Sequence, residues 1–300
     1  MSAKVCEAGP ELKIVPVKDI IIHEHFDKTR SPRLAKIIEE AGVLQDPPIV
    51  ARLGGGKHRF GKYVHLDGAN RITVFREEDL LNCQHILVQI VDYFDPESIK
   101  LSTWCHLTQQ DKDSFLSRLQ SKGLEPLPID WDTARALIAE GEGVLCCLFF
   151  RDGDVFGVKS RGDLESRVKL MNEVVSTYEG RIERDSLKPE QGEWKRQING
   201  LFEKHQDCNV IIAFPKFIPE QVIQIATRLA TGETRENAVK MPPGVTRHIV
   251  VEGRALRINF PLSVLKAKEM SLETKNELLK EFLRKKKPRR YEEPTFMYDE

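Results

Sequence analysis

From Leu12 to Asp92 the chain alternates short β-like apolar runs with two amphipathic stretches. Leu34, Ile37, Ile38 and Ala41 repeat at helical spacing, Ser31 and Pro32 supply an N-cap and a first-position proline, and Gly42 supplies a stop. A helix is predicted there. Pro48–Leu53 and Lys62–Leu66 read as strands joined across a glycine-rich turn; Ala69–Leu80 carries Ile72, Phe75 and Leu80 at helical spacing, and His85–Val91 reads as a further strand. The pattern is that of an α/β module.

Beyond Asp92 the texture is longer-range α+β. Helices are predicted over Gln109–Ser121, Trp131–Glu140 (capped by Asp130 and stopped by Gly141), Leu164–Tyr178 and Pro219–Leu229. Strands are predicted at Val144–Phe150 and Val155–Lys159 around an Asp-Gly-Asp turn, at Val210–Phe214, and at Arg247–Val251 and Ala255–Phe260 around Glu252-Gly253. Leu279, Phe282 and Leu283 mark an amphipathic segment before the basic run Arg284–Arg290. These shifts divide the chain into residues 1–95, residues 96–268, and a helical, basic C-terminal tail over residues 269–300.

Composition narrows the partners. Basic and acidic residues number 46 each, so no broad field attracts nucleic acid or an anionic membrane. The six cysteines, Cys6, Cys83, Cys105, Cys146, Cys147 and Cys208, lack metal-ligand spacing and suit reduced, buried thiols. No apolar run approaches the roughly 20 residues that span a bilayer, and the polar start lacks a signal pattern. The expected setting is cytoplasmic.

The residues richest in chemistry are Leu66-Asp67-Gly68-Ala69-Asn70-Arg71, a strand running through a glycine turn into a helix. Such a turn offers unpaired amides at the positive helix end to a phosphate, while Asp67 can hold Mg²⁺ and Arg71 can grip an oxygen. Local spacing equally suits a plain connection in which Asp67 caps the helix. Upstream, Gly56–Lys62 fits the opening of a P-loop, but Tyr63 replaces the required hydroxyl residue and a strand follows where a helix is needed. It reads as a solvated turn.

Taken with Lys13–Val17, His23-Glu24-His25-Phe26 and Pro48-Ile49-Val50, the Asp67–Arg71 box resembles the ParB N-terminal-like fold of the ParB/sulfiredoxin-like superfamily, where an Asp-Gly-His-His-Arg type box closes on a nucleotide. Within it the chain is most similar to the free L-serine kinases of archaeal cysteine synthesis and of a bacterial siderophore locus. The resemblance implies an α+β protein: a ParB-like nucleotide-binding domain, then a second α+β domain that binds substrate, with the active site in the cleft between them. It implies Mg²⁺-dependent transfer from ATP or ADP to free L-serine, giving O-phospho-L-serine for cysteine or siderophore synthesis. Glu24 matches the family's catalytic base. Asp67 serves catalysis and metal, and Gly68, Ala69, Asn70 and Arg71 the nucleotide. Trp104, Thr246, Arg247 and His248 match the substrate side. Ala69 and Asn70 stand where the family carries paired histidines, so contacts there fall to the backbone.

Two other readings follow from the same superfamily. A nucleotide-gated DNA-binding or regulatory protein would need a helix-turn-helix after the first domain, which the pattern lacks; only Arg284–Arg290 is strongly basic. A sulfiredoxin-like reductase would need a cysteine within the phosphate box, where Ala69-Asn70-Arg71 stands instead.

Overall fold

The computed structural model describes residues 10–26, 29–53, 63–141, 143–178, 182–187, 193–231, 239–251, 253–290 and 295–299. The P-loop-like run 56–62 lies outside them. The chain forms two compact units. One takes the residues up to Lys100, a short stretch beginning at Ala226, and everything from His248 onward; the other takes Leu101–Ile225 and the segment that ends at Arg247.

In the first unit, five strands among the described residues form a sheet in the order Glu11–Pro16, His85–Val91, Ile49–Arg52, Tyr63–Asp67, Ile20–Ile21. Ile14 lies opposite Leu87 in an antiparallel pair, whereas Ile49–Arg52 runs parallel to His85–Val91 and antiparallel to Tyr63–Asp67, with a register shift at Ile49/Val50. Ile14, Val50, Ile72, Phe75, Leu87 and Leu279 share one buried core.

The first helix spans Arg30–Ala41 and buries Ser31, Ala35 and Ile38. It starts one residue before the expected cap, with no side-chain cap bond at Thr29. Ser31 therefore lies inside the first turn, its Oγ 3.4 Å from Asn70 Oδ1. Ile37 is 51% exposed, because at about 100° per residue it rotates away from the face that Ser31, Ala35 and Ile38 share. Gly42 ends the helix as expected, in the left-handed conformation at φ 65°. The next helix, Ala69–Arg76, stops four residues short of Leu80: Glu77 turns extended, and Leu81 N–H bonds back to Val74 O at 3.1 Å.

The C-terminal boundaries differ from expectation. Residues from His248 onward belong to the first unit, not to a second domain ending at 268. The helix Leu272–Arg284 is no free tail: its Asn276 accepts from Ile14 N–H and donates to Ile14 O, both at 3.0 Å. Its apolar face needs a core, and Leu279 finds it under the first sheet. Within the basic run, Lys287–Arg290 is a strand paired antiparallel with Thr295–Asp299, which pairs parallel with Arg254–Leu256.

The sheet of the second unit includes strands in the order Glu183–Leu187, Ile99–Thr108, Val210–Ala213, Val144–Phe150, Val155–Lys159, Pro126–Pro128. Helix Trp131–Glu140 has the expected bounds, with Asp130 accepting from Thr133 N–H at 2.8 Å and Gly141 left-handed at φ 77°. Asp111 and Asp163 cap the helices Lys112–Ser121 and Leu164–Ser176 in the same way. Among the described residues the cysteines Cys83, Cys105, Cys146, Cys147 and Cys208 are buried free thiols, and no helix is long and apolar enough to cross a membrane.

Candidate active site

The strand Tyr63–Asp67 delivers Asp67 to a turn that only glycine makes easily. Gly68 sits at φ 92°, and a Cβ there would meet Pro48 Cβ at 3.0 Å and Arg71 Nε at 3.1 Å. The helix begins at Ala69, and Ile72 N–H makes the bond to Gly68 O at 3.0 Å, so the amides before it have no partner within the helix. Asp67 Oδ2 accepts from Arg71 Nη2 at 3.2 Å and from Arg254 Nη2. Arg71 also donates to Asp46 O, which pins its guanidinium under the turn. Burial alone would raise the Asp67 carboxyl, yet Arg71 and Arg254 hold it below its ordinary range. The carboxylate is therefore ionised at neutral pH.

Glu24 is held from the same strand. His65 and Asp67 lie two residues apart on that strand, on either side of the register shift against Ile49 and Val50. The buried His65 places Nε2 3.4 Å from Glu24 Oε1 and Nδ1 3.1 Å from Nδ1 of buried His23. The His23 ring stands edge-on to His248 at 6.3 Å between centroids, and His248 Nε2 lies 2.8 Å from Tyr93 Oη. His248 is pushed down to about 3, by burial first and by His65 second, so it is a neutral imidazole. A carboxylate supported by one buried histidine, with an ionised aspartate at the adjoining glycine turn, can accept a proton beside a bound anion.

Sequence-nominated residues thus fall into two groups. The first unit holds Glu24, Asp67, Gly68, Ala69, Asn70, Arg71 and His248. The second holds Trp104, Thr246 and Arg247; the Arg247 guanidinium stacks over the Trp104 ring at 4.9 Å, while Thr246 is buried with Oγ1 4.0 Å from Met241 Sδ. His65, Tyr93, Gln89 and Arg254 escaped sequence reasoning. His65 carries one signal, a polar side chain in the apolar run Tyr63-Val64-His65-Leu66 in phase with Asp67; Arg254 carries none.

Among the described residues no group of three or more His, Cys, Asp or Glu could hold a metal. Both arginines fall on Asp67 Oδ2, which leaves Oδ1 to a cation. This donor set fits Mg²⁺, which keeps several waters and takes one or two carboxylates together with phosphate oxygens. A separate pocket of about 210 Å³ in the second unit, lined by Leu107, Glu183, Lys204, His205 and Cys208 among others, contains none of the nominated residues.

No protein-family model matches the chain. A free serine kinase mutant in complex with AMP superposes with a TM-score of 0.64 at 19% identity, over 86% of this chain and 95% of its own. The chain has the free serine kinase fold. The same fold relates it to C-terminally truncated SbnI from Staphylococcus aureus, with a TM-score of 0.64 at 20% identity over 91% and 95% of the two chains. A free serine kinase mutant complex with ADP gives 0.63 at 18% identity, over 88% and 98%. In sequence, the chain is 25% identical over 256 residues to the ATP-dependent L-serine kinase SbnI of Staphylococcus aureus strain NCTC 8325, covering 85% of this chain and 84% of that protein.

Proposed function

We propose that this protein is a free L-serine kinase that moves a terminal phosphoryl group from ATP or ADP to the hydroxyl of L-serine, giving O-phospho-L-serine. The observation that carries the reading is the placement, by one strand, of His65 against Glu24 and of Asp67 at the left-handed Gly68 turn, in a chain with the free serine kinase fold. Sequence similarity to an L-serine kinase along most of the chain supports it.

Glu24 is the general base. It takes the serine hydroxyl proton as the oxygen bonds to phosphorus and the bridging bond to the departing nucleotide breaks. His65 orients the Glu24 carboxylate and His23 backs His65. The turn amides and Arg71 receive nucleotide phosphate oxygens. Asp67 would hold Mg²⁺, which when bound neutralises charge on the phosphate oxygens. Trp104, Thr246, Arg247 and His248 take the serine side: Arg247 is suited to the carboxylate of the amino acid or the phosphate of the product, and neutral His248 can donate or accept a hydrogen bond without adding charge.

Phosphorus NMR of the purified protein with Mg²⁺ and L-serine, run with ATP and separately with ADP, tests the reading. A growing phosphoserine resonance is expected and identifies the donor; no turnover with either nucleotide would overturn it.

A further inference from the structure

Arg254 is the one ligand of Asp67 that no sequence motif announced, and the fold goes to some length to place it. Gln89, 1% exposed in the interior strand His85–Val91, donates Nε2–H to Gly253 O at 2.8 Å and accepts Ala255 N–H on Oε1 at 2.9 Å. Its side-chain amide thus acts as a peptide unit of the sheet, gripping the backbone on both sides of Arg254. Buried amides satisfied at both ends fix geometry, because losing either bond strands a polar group away from water. The gripped residue sends its guanidinium to Asp67 Oδ2, the same oxygen that Arg71 uses. Two guanidiniums on one carboxylate leave an excess positive charge beside the amino-terminal end of the helix Ala69–Arg76. Arg71 is tied further to Asp46 O, whereas the Arg254 side chain is 41% exposed and has Asp67 as its partner.

We propose that Arg254 is a nucleotide-binding residue: its guanidinium contacts the polyphosphate of the donor nucleotide, exchanging Asp67 for phosphate oxygens, and Gln89 is the positioning residue that presents it. The exchange trades one anionic oxygen for another, so the charge on Arg254 stays compensated while Asp67 Oδ2 keeps Arg71 as its partner. This inference rests on the kinase reading for the presence of a nucleotide, and it adds a basic contact that lies outside the Asp67–Arg71 box.

The test is equilibrium binding of ADP and of adenosine to the full-length protein by calorimetry, with and without Mg²⁺, for wild type, Arg254→Gln, Arg254→Lys and Gln89→Leu, each checked for native circular dichroism. Arg254→Gln is expected to raise the ADP Kd by roughly 10- to 100-fold, as loss of a charge-assisted bond does, with adenosine Kd unchanged within about twofold; Arg254→Lys should recover part of the loss, and Gln89→Leu should weaken ADP and spare adenosine. An unchanged ADP Kd in Arg254→Gln overturns the role of Arg254 and leaves the kinase reading intact. Equal weakening of ADP and adenosine overturns it as well, since a phosphate contact cannot act on a nucleoside. Wild type that binds ADP without phosphorylating serine would sink the kinase reading alone, and wild type that binds no nucleotide would sink both. If Arg254→Gln does not fold, Arg254→Lys decides: wild-type ADP affinity together with wild-type affinity in Gln89→Leu overturns the proposal.

Discussion

His65 sets its Nε2 3.4 Å from Glu24 Oε1 while its other ring nitrogen faces His23 at 3.1 Å. The Glu24 carboxylate thus lies against a histidine with no exposure of its own. Glu24→Gln keeps the shape of the side chain and removes its basicity. Turnover should fall by roughly 10² or more, as for loss of a positioned base, while nucleotide Kd stays near wild type. Initial rates of phosphoserine formation, measured beside calorimetric ADP binding, check both halves; unchanged turnover removes Glu24 from the chemistry.

Arg247→Ala should act on substrate instead of nucleotide. Loss of the guanidinium that stacks on Trp104 is expected to raise the serine KM by roughly tenfold or more, with ADP affinity within about twofold of wild type. A fall in melting temperature with an unchanged KM would make the pair structural.

Gly68→Ala tests the turn itself. The residue sits at φ 92°, and its new Cβ would press Pro48 and Arg71; the strain should cost about 1–3 kcal/mol. Denaturant titration reads that loss. ADP affinity should fall with it, because the Arg71 guanidinium must move.

Which parts of this were legible beforehand depends on whether the information is local. Trp131–Glu140 announced both ends, through the Asp130 side chain and the Gly141 stop, and the structure keeps both. The Asp67-Gly68 turn was equally plain, since a strand, a glycine and a helix sit next to one another in sequence. The ten-residue strand Ile99–Thr108 was not. Ser102, Thr103, His106 and Thr108 interrupt its apolar pattern, yet all four are buried, with Ser102 donating to Leu187 O at 3.0 Å and Thr103 to Phe214 O at 2.6 Å. Their partners lie 85 and 111 residues away, beyond the reach of any window. Helix Trp194–Lys204 lacked a start signal for a related reason: Glu193 enters it at φ 64° without a side-chain cap bond. Of the candidate site, the residues that make contact in the box were readable, whereas Arg254 and Gln89 act through a strand contributed from far along the chain.

One of those buried polar groups predicts a pH dependence. His106 accepts from Tyr178 Oη at 2.9 Å on Nδ1 and faces Pro243 O and Gly244 O from Nε2 at 3.1 and 3.2 Å. Burial, then Arg184, push it down to about 3, against the pull of the two carbonyls. From the ordinary value near 6.5 down to about 3, the unfolded chain binds a proton that the folded one refuses, so stability falls as pH drops through that window and is level above it. The slope from this residue approaches about 1.4 kcal/mol per pH unit. Urea midpoints at pH 5 and pH 7 should differ in that direction, and His106→Gln should shrink the difference, leaving the part due to His248, even if it lowers both values.

The clamp of Asn276 on Ile14 has a consequence for biosynthesis. The strand Glu11–Pro16 leaves the ribosome some 260 residues ahead of the Asn276 side chain that clamps it, and all of the residues that build the second unit emerge in between. The second unit can reach its final contacts on the nascent chain, whereas the edge strand Glu11–Pro16 waits with Ile14 unclamped until Asn276 has emerged. A stop codon just before Leu272 would therefore leave Ile14 without its clamp and that strand dependent on chaperones.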